Sequence, residues 1–187
     1  DGVCRAFVPS KIIEKKQSSR GVSQVGTNTV LSSKSSQIIG DANQITGSSN
    51  SLVSGESNVI DRGVNNSVVI GKMAKSTHTG EFCIGGGGFN SEAGLLQYSV
   101  LQVSGKTTSG ADFPLYIDGD DIAQKEIILP SNSIVTYEIW LSGLCTGGSS
   151  GTAGNYTTYE YHGAFRTDNA GAITHNAKIS RLLGRTG

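Results

Sequence analysis

The chain has 187 residues and a formal net charge of zero, and only 16% of its residues are charged. This balance gives no electrostatic reason to expect nucleic acid or an anionic membrane surface as a partner, and no run of about 18 apolar residues could form a transmembrane helix. The 26 glycines and the apolar content of 36% are typical of an extended, surface-rich β protein, extracellular or carried on a virion.

The first 20 residues form a predicted lead-in segment, with a short helix over Ser10 to Gln17 for which Ser10 can serve as N-cap. The start contains neither a hydrophobic signal region nor a methionine, so we expect a fragment or a processed product. Three cysteines, Cys4, Cys83 and Cys145, are isolated and lack CxxC spacing. We expect free thiols and assembly in a reducing cytoplasm.

Residues 21–90 form the predicted repeat domain, in which a short motif recurs every seven or eight residues. Each unit places an apolar pair before a glycine, and the repeat glycines are Gly40, Gly47, Gly55, Gly63 and Gly71. Asparagines follow at Asn43, Asn50, Asn58 and Asn65. A short strand and a tight turn fill such a unit, because glycine and asparagine tolerate positive φ. The pattern predicts a parallel β-roll or solenoid, beginning at the related stretch Ser23 to Val30.

Each unit carries only two or three apolar residues, which is too few for a core of its own, so we expect identical chains to supply a partner sheet in an intertwined homotrimer. The units resemble the head repeats of trimeric autotransporter adhesins and the haemagglutinin-like repeats of phage tail fibres and tailspikes. That resemblance implies a left-handed parallel β-roll with three chains side by side.

Residues 91–187 form the third predicted domain, where long apolar alternation is typical of antiparallel strands. Six strands at this spacing favour a β-sandwich or jelly-roll-like lobe. They are predicted over Leu96 to Ser104, Phe113 to Asp118, Lys125 to Leu129, Ser133 to Ser142, Tyr156 to Thr167 and Ala172 to Ser180. The sequence therefore predicts an all-β chain with two different β architectures.

The lobe resembles the terminal domain that follows such repeats in phage tail fibres and tailspikes. The family motifs TTxxxxxxLxLDG, LPxNS and GxxxRDAG are held here by Thr107, Thr108, Leu115, Asp118, Gly119, Leu129, Pro130, Asn132, Ser133, Gly163, Arg166, Asp168, Ala170 and Gly171. An alanine-arginine pair of that family is replaced by Ser142-Gly143. The resemblance implies a virion protein, assembled in the host cytoplasm.

No residue pattern predicts catalysis, a metal site or a cofactor. There is no GxSxG, and His78, His162 and His175 show no spacing typical of metal ligands. Asp41, Glu56 and Asp61 fall at different positions of their units, which predicts solvated turn acids rather than a glycosidase pair. The acidic run from Asp118 to Asp121 suits a hairpin turn better than a calcium site.

Glycan binding is the predicted activity, because sugar sites combine exposed aromatic faces with hydrogen-bonding groups. The candidate residues are Trp140, Tyr156, Tyr159, Glu160 and His162. Trp140 also suits a trimer interface. We therefore expect a trimeric, non-enzymatic receptor-binding module of a phage tail fibre or tailspike that mediates host attachment through a bacterial surface polysaccharide.

Two alternatives remain open at this point. The chain could be a structural trimerisation cap of a depolymerase tailspike whose catalytic domain lies upstream. It could also be a fragment of a bacterial trimeric adhesin head, which shares the repeat but not the terminal lobe.

Overall fold

The computed structural model describes residues 19–88, 91–108, 113–117, 126–148 and 151–186, which contain fifteen β-strands and no helix. They divide into two compact units, one within residues 1–105 and 113–126 and the other within 106–112 and 127–187. The predicted helix from Ser10 to Gln17 and the acidic run from Asp118 to Asp121 lie outside the described residues.

The first unit is a parallel β-solenoid with two sheets, which confirms the architecture predicted from the repeat. The parallel strands of the first sheet are β1 (Ser23–Val25), β3 (Gln37–Asp41), β5 (Leu52–Glu56), β7 (Val68–Lys72) and β9 (Phe82–Gly86). Those of the second are β2 (Thr29–Leu31), β4 (Gln44–Thr46), β6 (Val59–Ile60) and β8 (Lys75–Ser76). Because Gln37 pairs with Leu52 and Leu52 with Val68, one coil takes two sequence units, and they alternate between the sheets.

The solenoid core closes within a single chain. Ile38, Ile45, Val53, Ile60 and Val69 are at most 2% exposed, and they belong alternately to the first and the second sheet. Each such buried side chain contributes about 1.5–3 kcal/mol. The argument that the units need a partner chain for their core is therefore wrong, because the two units of one coil bury each other's apolar residues.

Polar ladders run beside this core from coil to coil. Asn43, fully buried, donates from Nδ2 to Asn28 Oδ1 at 2.8 Å and to the Gly55 carbonyl at 2.9 Å. Its own Oδ1 accepts the backbone N–H of Asn58 at 3.0 Å. Stacked serines form a similar ladder, in which the N–H of Ser51 donates to Ser36 Oγ. The repeated asparagines and serines thus satisfy the backbone where the chain turns between strands.

The repeat glycines all have positive φ, but they fall into two groups. Gly40, Gly55 and Gly71 are aligned within the first sheet, and a Cβ on Gly55 would lie 1.9 Å from the carbonyl oxygen of Gly71. Gly47 and Gly63 lie at corners outside the strands, and a Cβ on Gly63 would meet nothing within 4 Å. Close coil stacking requires glycine in the first group. In the second group backbone conformation favours it, and the nearest contact is between a Cβ on Gly47 and the flexible Arg62 side chain, at 3.3 Å.

Antiparallel pairing ends the parallel stack. Strand β10 (Gln97–Val100) pairs with β9, so the solenoid sheet continues past residue 90. The short strands β11 (Val103–Ser104) and β12 (Tyr116–Ile117) form a separate two-stranded ribbon. The predicted strand over Leu96 to Ser104 is therefore two strands.

The second unit is built on a three-stranded antiparallel sheet in the order β13 (Ile134–Leu144), β14 (Tyr156–Thr167) and β15 (Ile173–Arg185). These are the last three predicted strands, extended at the ends of β13 and β15. The predicted strand from Lys125 to Leu129 is not formed over its described residues, 126–129. Both faces of this sheet carry exposed apolar side chains.

The LPxNS and GxxxRDAG sequence motifs meet at one end of this sheet. The backbone N–H of Asn132 donates to the Asp168 carbonyl at 3.0 Å, and that of Ser133 donates to Thr167 Oγ1 at 2.9 Å. The Asp168 carboxylate accepts the N–H of Ala172 at 2.8 Å within the hairpin that joins β14 to β15. These motif residues therefore fix the turn before β13 onto that hairpin.

Candidate functional site

Side-chain alternation gives the sheet of the second unit two different faces. The Trp140 face carries Thr136, Glu138 and Trp140 of β13 and their partners Ala164, His162 and Glu160 of β14, flanked by Ile179 and Arg181 of β15. The aromatic face carries Tyr137, Ile139 and Leu141 of β13 with Tyr159, Tyr161 and Phe165 of β14. Each face is fixed by backbone pairing over at least eleven residues of β13.

On the Trp140 face the indole is exposed, as are the aliphatic side chains of Ile134 and Ile179. Trp140 is 68% exposed, and its indole Nε1–H donates to Glu138 Oε1 at 2.8 Å. On the neighbouring strand, His162 Nε2 lies 2.9 Å from Glu160 Oε1. The result is a fixed, exposed aromatic ring with two carboxylates and an imidazole beside it.

The aromatic face is more closely packed. The rings of Tyr137 and Phe165 stack with centroids 4.7 Å apart, and the His175 ring lies 4.8 Å from Phe165. His175 Nε2 and the Tyr137 hydroxyl are 2.7 Å apart. Tyr159 stacks on Tyr161, with centroids 5.9 Å apart. The aromatic rings of this face therefore pack against one another, and they do not form one exposed surface on which a ligand could stack.

The structure places four of the five predicted ligand-binding residues, Trp140, Tyr156, Glu160 and His162, on one face, with Tyr159 on the other. Trp140 and Glu160 are direct cross-strand partners, whereas Tyr156 lies toward the start of β14, opposite Leu144. Glu138 was not among the predicted site residues, although it holds the indole. The two-residue spacing between Glu138 and Trp140 is the sequence signal that identifies it.

The solenoid acids correct one expectation. Asp41 and Glu56 are register partners on adjacent coils, so they occupy the same position of the repeat. The prediction that they occupy different positions is wrong, because each directly follows a repeat glycine, and these glycines, Gly40 and Gly55, are themselves register partners. Glu56 forms an ion pair with Lys72 at 3.1 Å, and Asp61 forms one with Lys75 at 3.2 Å. Exposed cations therefore neutralise these two acids, as expected of solvated groups.

A buried carboxylate lies at the last coil of the solenoid. Glu81 is 3% exposed and accepts the backbone N–H groups of Thr77 and His78 at 2.8 and 3.1 Å. Burial acts to raise the pKa of Glu81, but hydrogen bonds from His78, Ser99 and Thr77 outweigh it and lower the pKa to about 2. Burial, with the charge of Glu81, raises the pKa of the Cys83 thiol to about 12. Cys83 is therefore a structural thiol rather than a nucleophile.

Comparisons with known protein families, with curated proteins and with solved structures give no match to this chain. Within the part of the chain that the structure describes, no helix is long and apolar enough to cross a membrane.

Proposed function

We propose that this chain is the C-terminal module of a phage tail fibre or tailspike, and that it attaches the virion to a bacterial surface polysaccharide through the Trp140 face. The observation that carries this proposal is the 68% exposed indole of Trp140, held by Glu138 beside Glu160 and His162. An exposed aromatic ring fixed by a hydrogen bond is suited to stack on a sugar ring at little entropic cost.

The polar neighbours supply the hydrogen bonds that such a ligand needs. Carboxylate oxygens accept hydrogen bonds from sugar hydroxyl groups, and an imidazole can donate or accept. Glu138 and Glu160 come from adjacent strands of one sheet, so their separation is set by the backbone pairing. The proposed role is binding without catalysis.

The solenoid fits the role of a stiff spacer. Its coils are held by ladders of asparagine and serine and by a continuous aliphatic core. Its described surface combines polar side chains and ion pairs with exposed aliphatic side chains such as Val25, Ile39 and Ile84, and its exposed ring, Tyr98, has no carboxylate pair and imidazole of the kind found beside Trp140. Recognition is therefore assigned to the second unit and spacing to the first.

Homotrimer formation is part of the proposal, and its support is the second unit. On the aromatic face its three-stranded sheet leaves the apolar side chains of Ile139, Ile173 and Leu182 exposed. A sheet needs another layer over its apolar face. Further copies of this chain would supply it by packing on the aromatic face, giving the sandwich-like arrangement predicted from the strand count. Three Trp140 faces on one fibre would then bind a repetitive polysaccharide with avidity.

A structural trimerisation cap of a depolymerase tailspike is the second candidate. The exposed side chains of Ile134, Leu144 and Ile179 on the Trp140 face favour it, because they would suit an interface between chains. In that case Trp140 would be covered in the assembly, and catalysis would belong to another part of the protein.

Binding to purified bacterial surface polysaccharides, measured together with oligomeric state, tests the proposal. We expect a species of three times the chain mass of 19.4 kDa, and Trp140→Ala should lower glycan affinity at least about tenfold while this species persists. Tyr98→Ala is the matched control, because Tyr98 is 64% exposed on β10 of the solenoid. Loss of the trimer in Trp140→Ala would favour the cap instead. Unchanged affinity with an intact trimer would refute the assignment of Trp140.

A further inference from the structure

Three potential metal ligands converge on the Trp140 face. The ligand atoms of Glu138, Glu160 and His162 all lie within 4.8 Å of one another. Glu138 and His162 are direct partners across β13 and β14, and Glu160 is two residues from His162 on the same strand face. From these contacts we infer that the three side chains form a binding site for a divalent metal ion of the Zn²⁺ type.

The donor set selects the class of metal. Zn²⁺ accepts imidazole nitrogen together with carboxylate oxygen, and three protein ligands leave a coordination position open. Ca²⁺ and Mg²⁺ prefer oxygen ligands alone, so the His162 nitrogen argues against them. His162 Nε2 is 2.9 Å from Glu160 Oε1, so these two ligand atoms are already close enough to bind one ion.

Two features outside the ligand set support the assignment. The indole of Trp140 donates to Glu138 Oε1, which orients that carboxylate as outer partners of metal ligands commonly do. Both ligand-bearing strands are continuous through the site, so the ligands rest on paired backbone rather than on a loop. Ile179, the β15 partner of His162, adds an apolar flank.

One neighbouring positive charge opposes metal binding and provides a separate test of the site. Arg181 of β15 is the register partner of Glu160 on the same face, where a positive charge opposes the binding of a cation to that carboxylate. Lys178 belongs to the opposite face, where its ammonium lies 5.3 Å from the Tyr161 ring centroid. Removal of Arg181 is therefore expected to strengthen metal binding, an effect that a purely structural cluster would not give.

Calorimetric titration of the untagged, metal-stripped chain with zinc chloride tests the inference without any glycan. We expect one zinc ion per chain, affinity that falls as pH is lowered because the ligands must lose protons, and a change in the emission of Trp140, the single tryptophan. His162→Gln and Glu160→Gln should each lose at least about tenfold in affinity, and Arg181→Gln should gain. His175→Gln is the matched control, a strand histidine on the aromatic face that should bind zinc normally.

Three results would overturn the site: no zinc binding by the intact chain, normal binding by His162→Gln, or equal losses in His162→Gln and His175→Gln. Should His162→Gln fail to fold, Glu138→Gln and Arg181→Gln decide, since they must shift the affinity in opposite directions. Glycan binding is measured separately, so failure of the metal site and failure of the attachment proposal are distinguishable.

Discussion

Replacing Gly55 by alanine measures how much the close stacking of the coils contributes to stability. The added Cβ would lie 1.9 Å from the Gly71 oxygen and 2.9 Å from the Gly71 carbonyl carbon, so the next coil must move. The same carbonyl accepts the Asn58 side chain at 2.9 Å, and this hydrogen bond is lost with the movement. Positive φ at a residue with a Cβ costs about 1–2 kcal/mol. The strained ladder and the unpaired polar groups add about 1–3 kcal/mol. We expect a total loss of about 2–5 kcal/mol.

Gly63→Ala is the control, because Gly63 also has positive φ, +82°, but its Cβ would meet nothing within 4 Å. This variant should lose only the backbone term of about 1–2 kcal/mol. Hydrogen exchange of peptides from residues 37–86 is the suitable assay, since it reports on the solenoid separately from the second unit. Tryptophan fluorescence would not do so, because the single tryptophan belongs to the second unit. Equal losses in the two variants would refute the stacking argument and leave backbone conformation as the sole requirement for glycine.

Two further predictions concern buried polar groups of the solenoid. The folded-state pKa of Glu81, about 2, is below the ordinary 4.5, so its contribution of up to about 3 kcal/mol is present above pH 4.5 and is lost as the pH falls toward 2. Glu81→Gln should therefore remove this part of the acid destabilisation in urea unfolding curves, and a curve with the wild-type pH dependence would contradict it. Asn43→Ala leaves the Asn58 N–H without its partner and removes the side-chain donor from Asn28 Oδ1 and from the Gly55 carbonyl, so it should cost about 2–4 kcal/mol in the hydrogen-exchange assay. Asn50→Ala, at an exposed corner, should cost about 1 kcal/mol or less. Similar losses in both would refute the ladder.

The solenoid was predictable because its information is local. Glycine and asparagine at fixed intervals specify turns with positive φ, and the short apolar pairs between them specify strands. The number of units in a coil is not local information. Units ending at Gly40 and Gly47 look alike in sequence, yet one belongs to the first sheet and the other leads out of the second. That distinction decides whether a chain can close its own core, and this is why the core was assigned to partner chains.

For the second unit, alternation predicted the faces of β13 and β14 but not the number of layers. The two-residue spacing of Glu160 and His162 places them on one face of β14, and alternation along the same strand places Tyr156 on that face and Tyr159 on the other face. The pairing of Glu138 with His162 depends on the register between two strands separated by an eleven-residue loop, which a single sequence pattern does not encode. Tyr159 was therefore predicted as a site residue because it is aromatic, and Glu138 was not predicted because its cross-strand partner could not be known.

The alternation of two units in each coil restricts how such a chain can change its length. Deleting the fifteen residues 37–51, so that Leu52 takes the place of its partner Gln37, would join equivalent points of successive coils and keep every glycine, asparagine and serine in its column. Deleting a single unit of seven or eight residues would instead put a second-sheet strand where a first-sheet strand belongs, and every ladder beyond that point would lose its partners. Insertions and deletions that preserve the fold must therefore come in whole coils, and each one changes the length of the solenoid by about 4.8 Å, the spacing of neighbouring strands.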